Sequence, residues 1–342
     1  MAASVAKNEA AGFFEHGGRL DLARKIYPGA PLPWIDLSTC VSPWAYPVPP
    51  VDAEAWQRLP EPDALVSLLA AARKAYRVPD AASVVALPGT EIGLNTLPWL
   101  FREPKRVEVL GPTYSSHIKA WEAAGHSVTP INALSEAGRA AIVAVVNPNN
   151  PTGTVLTQAE LAAIVGPIRR KGGLLVIDEA FADEDDSLSI LPNVARLDHT
   201  LVFRSLGKFY GAAGVRLGFA MTSHPVAERL KGAMGAWPIS AAALALGEAA
   251  LSDENWKLEH RKKLKAAAAD LDSLLTEAGL QLLGGTSLFR FAAMDASEEV
   301  FAKLAWHGIL TRPFAHRSAL RFGLPKDATE AARLREALRA AS

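Results

Sequence analysis

Short apolar runs alternate with helical segments through the first two-thirds of this 342-residue chain. Runs that are β-branched or rich in leucine occupy positions 84–87, 107–110, 142–146, 174–177 and 201–204. Helices are predicted around and between them, at 65–76, 91–100 and 157–171. Strands that are apolar on both faces belong to parallel sheets covered by helices on both sides. The pattern predicts the α/β class, with a large, doubly wound and mostly parallel sheet domain.

The chain divides into three predicted segments. Residues 1–60 are rich in proline and tryptophan and form an irregular N-terminal arm, because proline interrupts helices. Residues 61–225 form the large α/β domain, whose end the pattern leaves between 225 and about 250. Residues 226–342 hold a small C-terminal α+β domain and nearly all of a connecting helical region that runs from about 224 to 280. In that domain, strands are predicted at 281–283, 288–292 and 319–323 and helices at 296–306 and 327–341.

The charge balance and the cysteine content exclude several classes of protein. Lys+Arg and Asp+Glu number 36 each, so the formal net charge is zero. The chain therefore lacks the excess of positive charge that is typical of proteins that bind nucleic acid or an anionic membrane. No apolar run approaches the ~18 residues that span a bilayer, and the N-terminus lacks the apolar stretch of a signal peptide. The single cysteine, Cys40, forms no internal disulfide, which predicts a protein of the reducing cytoplasm. The eight histidines show no metal-ligand spacing, so no metal site is expected.

Polar residues follow each of five predicted strands, where ligands of open α/β sheets bind. The segments, in chain order, are Pro88-Gly89-Thr90-Glu91, Gly111-Pro112-Thr113-Tyr114, Asn147-Pro148-Asn149-Asn150-Pro151-Thr152-Gly153, Asp178-Glu179-Ala180-Phe181 and Ser205-Leu206-Gly207-Lys208. One edge of the sheet therefore combines an anion cradle, an aromatic ring, an amide, a carboxylate and a lysine.

Each of these residues alone has a common structural role. Thr90 caps helices well, Tyr114 suits a core, Asp178 could cap a helix, and lysines such as Lys208 are mostly solvated. Together they match one chemistry. A lysine amine can hold an aldehyde cofactor as a Schiff base, and a carboxylate opposite a pyridine nitrogen keeps that ring protonated. The protonated ring then withdraws electrons from the α-carbon of a substrate.

The order of these motifs resembles that of the fold-type I pyridoxal-phosphate enzymes, in the class I and II aminotransferase group. The matching blocks are Asn-Pro-Thr-Gly at 150–153, Asp-x-Ala-aromatic at 178–181, Ser-x-x-Lys at 205–208 and an arginine eight residues after the lysine. The resemblance covers nearly the whole chain and implies pyridoxal 5′-phosphate as the cofactor. The contacts that it implies are Lys208 as the Schiff-base lysine, Asp178 at the pyridine nitrogen, Asn150 at the ring hydroxyl, Tyr114 stacked on the ring, and Thr90, Glu91, Ser205 and Arg216 around the phosphate. Thr90 and Glu91 are expected to act mainly through backbone N–H groups.

Two arginines near the C-terminus match the family's substrate contacts. Arg321 falls on the arginine that binds the substrate α-carboxylate, and Arg312 on a second arginine of relatives that act on phosphorylated substrates. Two positions depart from the common pattern. Phe181 stands where many members have a tyrosine that bonds the ring hydroxyl, which leaves that contact to Asn150. Leu59 stands where members often have a tyrosine that reaches the cofactor phosphate of the partner subunit.

The N-terminal arm indicates a branch of the family. The segments at 16–20 and 34–39, together with Pro43, resemble the opening of the threonine-phosphate decarboxylases of the cobalamin pathway, although Ser42 stands where relatives often have asparagine. The resemblance implies release of CO2 from L-threonine O-3-phosphate, giving 1-amino-2-propanol phosphate. His16 and Arg312 are the expected partners of the substrate phosphate, since a dianion needs at least two donors. In the alternative interpretation, His16 and Arg19 only fix a surface arm.

Two other functions stay open at the level of sequence. An aminotransferase that acts on a phosphorylated amino compound, such as histidinol phosphate, uses the same cofactor contacts. A binding protein that keeps the fold without catalysis is disfavoured, because Lys208, Asp178 and Arg321 are all present. The resemblance also implies a homodimer with the active site at the subunit interface, and a small phosphorylated amino acid as substrate.

Overall fold

The computed structural model describes residues 12–341. Its strands, in chain order, are β1 (Ile35–Asp36), β2 (Ser83–Leu87), β3 (Arg106–Leu110), β4 (Ser127–Ile131), β5 (Ile142–Val146), β6 (Leu174–Asp178), β7 (Thr200–Ser205), β8 (Gly218–Thr222), β9 (Leu282–Thr286), β10 (Phe289–Ala293), β11 (Ile309–Leu310), β12 (Arg312–Phe314) and β13 (Ala319–Gly323). Its α-helices are α1 (Gly12–Glu15), α2 (Leu20–Ile26), α3 (Pro62–Ala75), α4 (Thr90–Thr96), α5 (Ser116–Ala123), α6 (Gln158–Arg169), α7 (Val226–Met234), α8 (Ala241–Ser252), α9 (Glu254–Glu277), α10 (Ser297–Trp306) and α11 (Ala328–Ala341).

The chain forms two compact units that interleave along the sequence. The sheet unit comprises Ala45–Asn150 and Thr154–Glu259. The terminal unit comprises the described residues up to Trp44, Pro151–Gly153 and the described residues from His260 onward. The sequence predicts three consecutive segments: an arm (1–60), a large domain (61–225) and a small domain (226–342). This division stays a prediction.

The sheet unit is built on one seven-stranded sheet with the order β2-β8-β7-β6-β5-β3-β4. The strands from β3 to β7 pair in parallel, while β8 lies antiparallel between β2 and β7. Because β8 is antiparallel to both neighbours, β2 points in the same direction as the parallel strands. The predicted α/β class with a mostly parallel sheet is confirmed.

Two strands of this sheet are not predicted by the apolar pattern. β8 begins just after Leu217, where the alternation of strands and helices stops, yet every residue of β8 is buried between two neighbouring strands. β4 contains Ser127, Thr129 and Pro130 and lies at the edge of the sheet. An edge strand tolerates polar residues and a proline because one of its sides has no partner strand.

The core follows the apolar runs. The central strands β5, β6 and β7 are buried at every position, as expected of strands covered on both faces. α3 begins at Pro62, before the predicted start at 65, because proline in the first turn of a helix has no amide that needs a partner. Thr157 and Glu160 form a reciprocal capping box that starts α6. The predicted helical region 224–280 consists of α7, α8 and α9.

The terminal unit contains a four-stranded antiparallel sheet with the order β12-β13-β10-β9, and a separate parallel pair of β1 and β11. β9, β10 and β13 fall on the predicted strands, and α10 and α11 fall on the predicted helices. The three-residue β12 is too short to be recognised from sequence. It places Arg312 directly opposite Arg321 of β13.

None of the helices in residues 12–341 combines the length and the apolar composition that crossing a bilayer requires. Over the same residues, histidine, cysteine, aspartate and glutamate form no group of three or more that could hold a metal ion.

Candidate active site

The cofactor-site candidates all lie in the sheet unit, in the segments that follow five of its strands. Thr90 and Glu91 come after β2, Tyr114 after β3 and Asn150 after β5; Asp178 ends β6 and Ser205 ends β7, with Lys208 and Arg216 a few residues later. These five strands point in the same direction, so their carboxyl ends meet along one edge of the sheet, where ligands of such sheets bind.

Asp178 is held from two sides at the end of β6. Its Oδ2 lies 3.2 Å from Nε2 of His117, and its Oδ1 accepts a hydrogen bond of 3.0 Å from the backbone N–H of Ala180. Both residues are buried, His117 almost completely. A carboxylate fixed in this way can face the protonated nitrogen of a pyridine ring with little loss of side-chain freedom. His117 is not among the site residues predicted from the sequence, although it follows Tyr114 by three residues.

Lys208 lies in the loop that follows the neighbouring strand β7 and is half-buried. Its Nζ lies 5.8 Å from the ring centroid of Phe181, which follows Asp178 by three residues. The amine and the carboxylate therefore belong to adjacent strand ends, which is the arrangement that the resemblance requires. Phe181 is buried and contributes an apolar face beside the amine.

The start of α4 forms an anion cradle with Arg216. Gly89, just before the helix, has a φ of +88°, a conformation that side chains rarely adopt. A Cβ at this position would lie 2.6 Å from Nη2 of Arg216, so the guanidinium rests directly on the backbone that leads into Thr90. Nearby, Oγ of Ser205 accepts a hydrogen bond of 3.1 Å from the N–H of Gly207. The backbone N–H groups of a first helical turn next to an arginine suit a phosphate.

Tyr114 is tied to the first turn of α4. Its hydroxyl donates a hydrogen bond of 3.0 Å to Oε2 of Glu91. Burial raises the pKa of Tyr114 to about 12, and the neighbouring Glu91 carboxylate acts in the same direction. The rings of Tyr114 and His117 are 6.4 Å apart and nearly perpendicular. The aromatic candidate thus sits beside the pair of His117 and Asp178.

Two asparagines shape the turn that presents Asn150. Oδ1 of Asn147 accepts from the N–H of Leu156 and its Nδ2 donates to the carbonyl of the same residue, which closes the loop after β5. Asn149 accepts a hydrogen bond of 2.8 Å from the hydroxyl of Thr113, in the loop before Tyr114. The first two asparagines of the unusual Asn-Pro-Asn-Asn-Pro sequence therefore hold the loop that carries Asn150.

A fully buried arginine joins the ends of β6 and β7. Arg204 forms ion pairs with Glu179 (3.2 Å) and Asp183 (3.1 Å), and its guanidinium carbon lies 4.4 Å from the ring centroid of Tyr76. Burial acts to lower the pKa of Arg204, but the two carboxylates outweigh that effect and the pKa lies above its ordinary value. Since Glu179 follows Asp178 and Arg204 precedes Ser205, this network fixes the two strand ends that carry the site.

Arg312 and Arg321 of the terminal unit form a pair on one face of the antiparallel sheet. They lie opposite each other on β12 and β13, so their side chains leave the sheet on the same side. Each is at least nine-tenths buried. The ring centroid of Phe314 lies 5.5 Å from Cζ of Arg312 and 5.9 Å from Cζ of Arg321. Two buried guanidinium groups side by side attract anionic ligands.

Backbone carbonyls of the N-terminal arm hold both arginines. Nη2 of Arg312 donates to the carbonyl of Phe14 (2.8 Å), two residues before the exposed His16. Nη2 of Arg321 donates to the carbonyl of Ser38 (2.6 Å). Of the three substrate-site residues predicted from the sequence, Arg312 and Arg321 lie opposite each other, and His16 follows by two residues the carbonyl that binds Arg312.

Comparison with known proteins identifies the family. The model of the family described as Aminotransferase class I and II matches residues 51–340. The chain belongs to this family. Among curated relatives, the threonine-phosphate decarboxylase of Pseudomonas aeruginosa is 39% identical over 95% of this chain and 97% of the relative. That of a Sinorhizobium species is 36% identical over 94% and 97%. A histidinol-phosphate aminotransferase of Granulibacter bethesdensis is 32% identical, over 58% of this chain and 54% of the relative.

Solved structures share the fold. Histidinol-phosphate aminotransferase from Sinorhizobium meliloti, in complex with pyridoxal-5′-phosphate, superposes with a TM-score of 0.81 at 20% identity and covers 94% of this chain and 95% of its own. L-threonine-O-3-phosphate decarboxylase from Porphyromonas gingivalis gives a TM-score of 0.72 at 18% identity, with coverage of 90% and 98%.

Pyridoxal 5′-phosphate is the cofactor of this aminotransferase-family chain. The site fits the group. Gly89 and Arg216 form a cradle for its phosphate that a Cβ would fill, Asp178 offers a buried carboxylate for its ring nitrogen, and Lys208 offers a primary amine at the neighbouring strand end.

Proposed function

We propose that this family member is a pyridoxal-phosphate-dependent decarboxylase of L-threonine O-3-phosphate, acting in cobalamin biosynthesis. The observation that carries the proposal is the match to two threonine-phosphate decarboxylases at 39% and 36% identity over nearly the full length of each protein. The histidinol-phosphate aminotransferases, which represent the alternative function, match roughly half to two-thirds of the chain at 28–34% identity. Transamination is therefore the second candidate.

The cofactor contacts are proposed as follows. Lys208 holds the aldehyde, and Asp178, supported by His117, pairs with the ring nitrogen. Tyr114 stacks on the ring and Asn150 bonds its hydroxyl. Thr90 and Glu91, through their backbone N–H groups, and Ser205 and Arg216, through their side chains, would hold the phosphate. Phe181, with no hydroxyl, leaves the ring hydroxyl to Asn150.

The substrate carries two anionic groups, and the terminal unit offers two buried arginines for them. We assign the α-carboxylate to Arg321 and the phosphate to Arg312 and His16. The planar guanidinium fork binds a carboxylate with two parallel hydrogen bonds. A phosphate dianion needs more than one donor, which suits Arg312 together with a histidine from the adjacent arm.

The reaction replaces the carboxylate of the substrate by a proton. When bound, the cofactor supplies an electron sink for the pair of electrons left on the α-carbon as CO2 departs. The role of Asp178 is to keep the ring nitrogen protonated, and His117 holds Asp178 in place for that purpose. Lys208, freed from the cofactor, delivers the proton to the α-carbon from Nζ, and the product is 1-amino-2-propanol phosphate.

The test is to mix the cofactor-loaded protein with L-threonine O-3-phosphate and to measure CO2 and oxo-acid production together. We expect one CO2 per substrate consumed and no oxo acid. Arg312→Met is expected to raise KM for threonine phosphate by about tenfold or more, because a charged hydrogen bond to the phosphate is lost. Arg317→Met, an exposed arginine of the same unit, is the control. Conversion of histidinol phosphate to the corresponding ketone, with its amino group passing to an added 2-oxo acid, and no CO2 from threonine phosphate would establish the aminotransferase instead.

We further propose that the protein is a cytoplasmic homodimer. In the sheet unit, Trp56, Leu59 and Val66 are each more than 60% exposed within one short segment, and large apolar side chains exposed together are typical of subunit interfaces. The single cysteine is compatible with a reducing compartment.

Sedimentation at micromolar concentration tests the dimer. A species of twice the 36.4 kDa chain mass is expected. Replacing Trp56 and Leu59 by glutamate should shift the population toward monomer, because two charges would be buried without partners. A wild-type protein that sediments only as a monomer would refute the proposal.

A further inference from the structure

A hydrogen bond links two parts of the cofactor site that come from different strand ends. Glu91 lies in the first turn of α4, after β2, and Tyr114 lies in the loop after β3. The Tyr114 hydroxyl donates to Oε2 of Glu91 over 3.0 Å, while Nδ2 of Asn95 donates to Oε1 over 3.2 Å. Both oxygens of the Glu91 carboxylate are therefore engaged, one of them by the aromatic ring proposed to stack on the cofactor.

The hydrogen bond between Tyr114 and Glu91 is of a strong kind, and it persists over the neutral pH range. A phenol that donates to an ionised carboxylate forms a charge-assisted hydrogen bond, which is shorter and stronger than a neutral one. The pKa of Tyr114, raised to about 12 by burial and by this carboxylate, keeps the hydroxyl protonated throughout the neutral range. Tyr114 packs against the core and is partly exposed, so the hydrogen bond to Glu91 adds to packing in fixing the plane of its ring.

Glu91 lies beside the phosphate cradle that Gly89 and Arg216 form. Glu91 lies two residues after Gly89, on which the Arg216 guanidinium rests. Its backbone N–H therefore belongs to the phosphate cradle, while its side chain reaches the aromatic ring. A carboxylate beside a phosphate would repel it, but here the hydroxyl of Tyr114 and the amide of Asn95 hold the charge in a fixed direction.

We propose that Glu91 is a positioning residue for the cofactor: its carboxylate fixes the ring of Tyr114, so that the phosphate cradle and the stacking face act as one unit. This inference rests on the proposed role of Tyr114 and does not depend on the substrate. The family resemblance implies only that Glu91 offers a backbone N–H to the phosphate. The proposal assigns a second role to its side chain.

A double-mutant cycle tests the proposal through cofactor binding to the apo-protein. Tyr114→Phe keeps the aromatic face and loses the hydrogen bond, and Glu91→Ala keeps the backbone N–H. Each change is expected to weaken pyridoxal 5′-phosphate binding by about three- to tenfold, with reduced circular dichroism of the bound cofactor. The double variant should bind as weakly as either single variant and no weaker, because one shared contact is lost. Glu91→Gln, which keeps an acceptor oxygen, should restore binding to within about twofold.

Matched controls separate the loss of this hydrogen bond from general effects. Glu228→Ala removes an acidic residue from the first turn of another helix, α7, and Tyr27→Phe removes the hydroxyl of a buried tyrosine in the terminal unit; neither should change cofactor binding. Multiplying effects in the double variant, or tighter binding by Glu91→Ala in both backgrounds, would overturn the proposal and indicate charge repulsion instead. Wild-type protein that binds the cofactor but releases no CO2 from threonine phosphate would refute the proposed function and leave this inference intact.

Discussion

Replacing Lys208 by alanine is expected to lower the rate of CO2 release from L-threonine O-3-phosphate by about 10³-fold or more. Removal of a covalent nucleophile usually costs at least this much. Two contributions would be lost together, because the Lys208 amine is proposed both to hold the cofactor aldehyde and to return a proton to the α-carbon. The absorbance of the protein–cofactor complex near 410–430 nm should disappear as well (an approximate family range), since no amine remains to carry the aldehyde.

The control for this prediction is Lys231→Ala, which removes an exposed lysine from the last turn of α7 in the same unit. It should keep both the activity and the spectrum of the wild type. The spectrum makes the result interpretable, because it reports the cofactor separately from the substrate. A Lys208→Ala protein that retained the 410–430 nm band would mean that another amine carries the cofactor, and the assignment of the site would fail.

The sheet and the loops of the site can be predicted from the sequence because their signals are local. The apolar runs of β5, β6 and β7 reflect burial on both faces, and each run is followed within about four residues by a candidate site residue, such as Asp178 or Lys208. The strand ends meet because parallel strands share one direction, so no long-range information is needed.

Contacts between residues that are far apart in the chain cannot be predicted from these local patterns. In the sequence, His117 is an ordinary helical residue. Its partner Asp178, whose Oδ2 lies 3.2 Å from Nε2 of His117, is 61 residues away along the chain. Glu91 has the position of an ordinary acidic residue in the first turn of a helix, and only the folded chain brings it within 3.0 Å of the hydroxyl of Tyr114, in the loop after β3. β8 is unpredicted for the same reason, because its burial comes from β2 and β7 rather than from its own pattern.

The Arg204 network is the largest of these hidden contacts, and it leads to the second prediction. Arg204→Met is expected to lower the free energy of unfolding by about 3–5 kcal/mol, because it leaves the buried carboxylates of Glu179 and Asp183 without their cation. Methionine keeps most of the volume, so the loss comes from charge rather than from a cavity. Urea unfolding of the apo-protein, followed by far-ultraviolet circular dichroism, measures the change.

Arg229→Met is the matched control. Arg229 is exposed, and its guanidinium carbon lies 5.8 Å from the ring centroid of Phe101, so it shares the aromatic contact of Arg204 without the burial. Its replacement should cost no more than about 1 kcal/mol. Adding Glu179→Gln and Asp183→Asn to Arg204→Met should recover at least half of the lost stability, because the uncompensated charges are then gone. If the triple variant were less stable than Arg204→Met alone, the ion pairs would not be the source of the loss, and the strand ends that carry Asp178 and Ser205 would owe their position to packing instead.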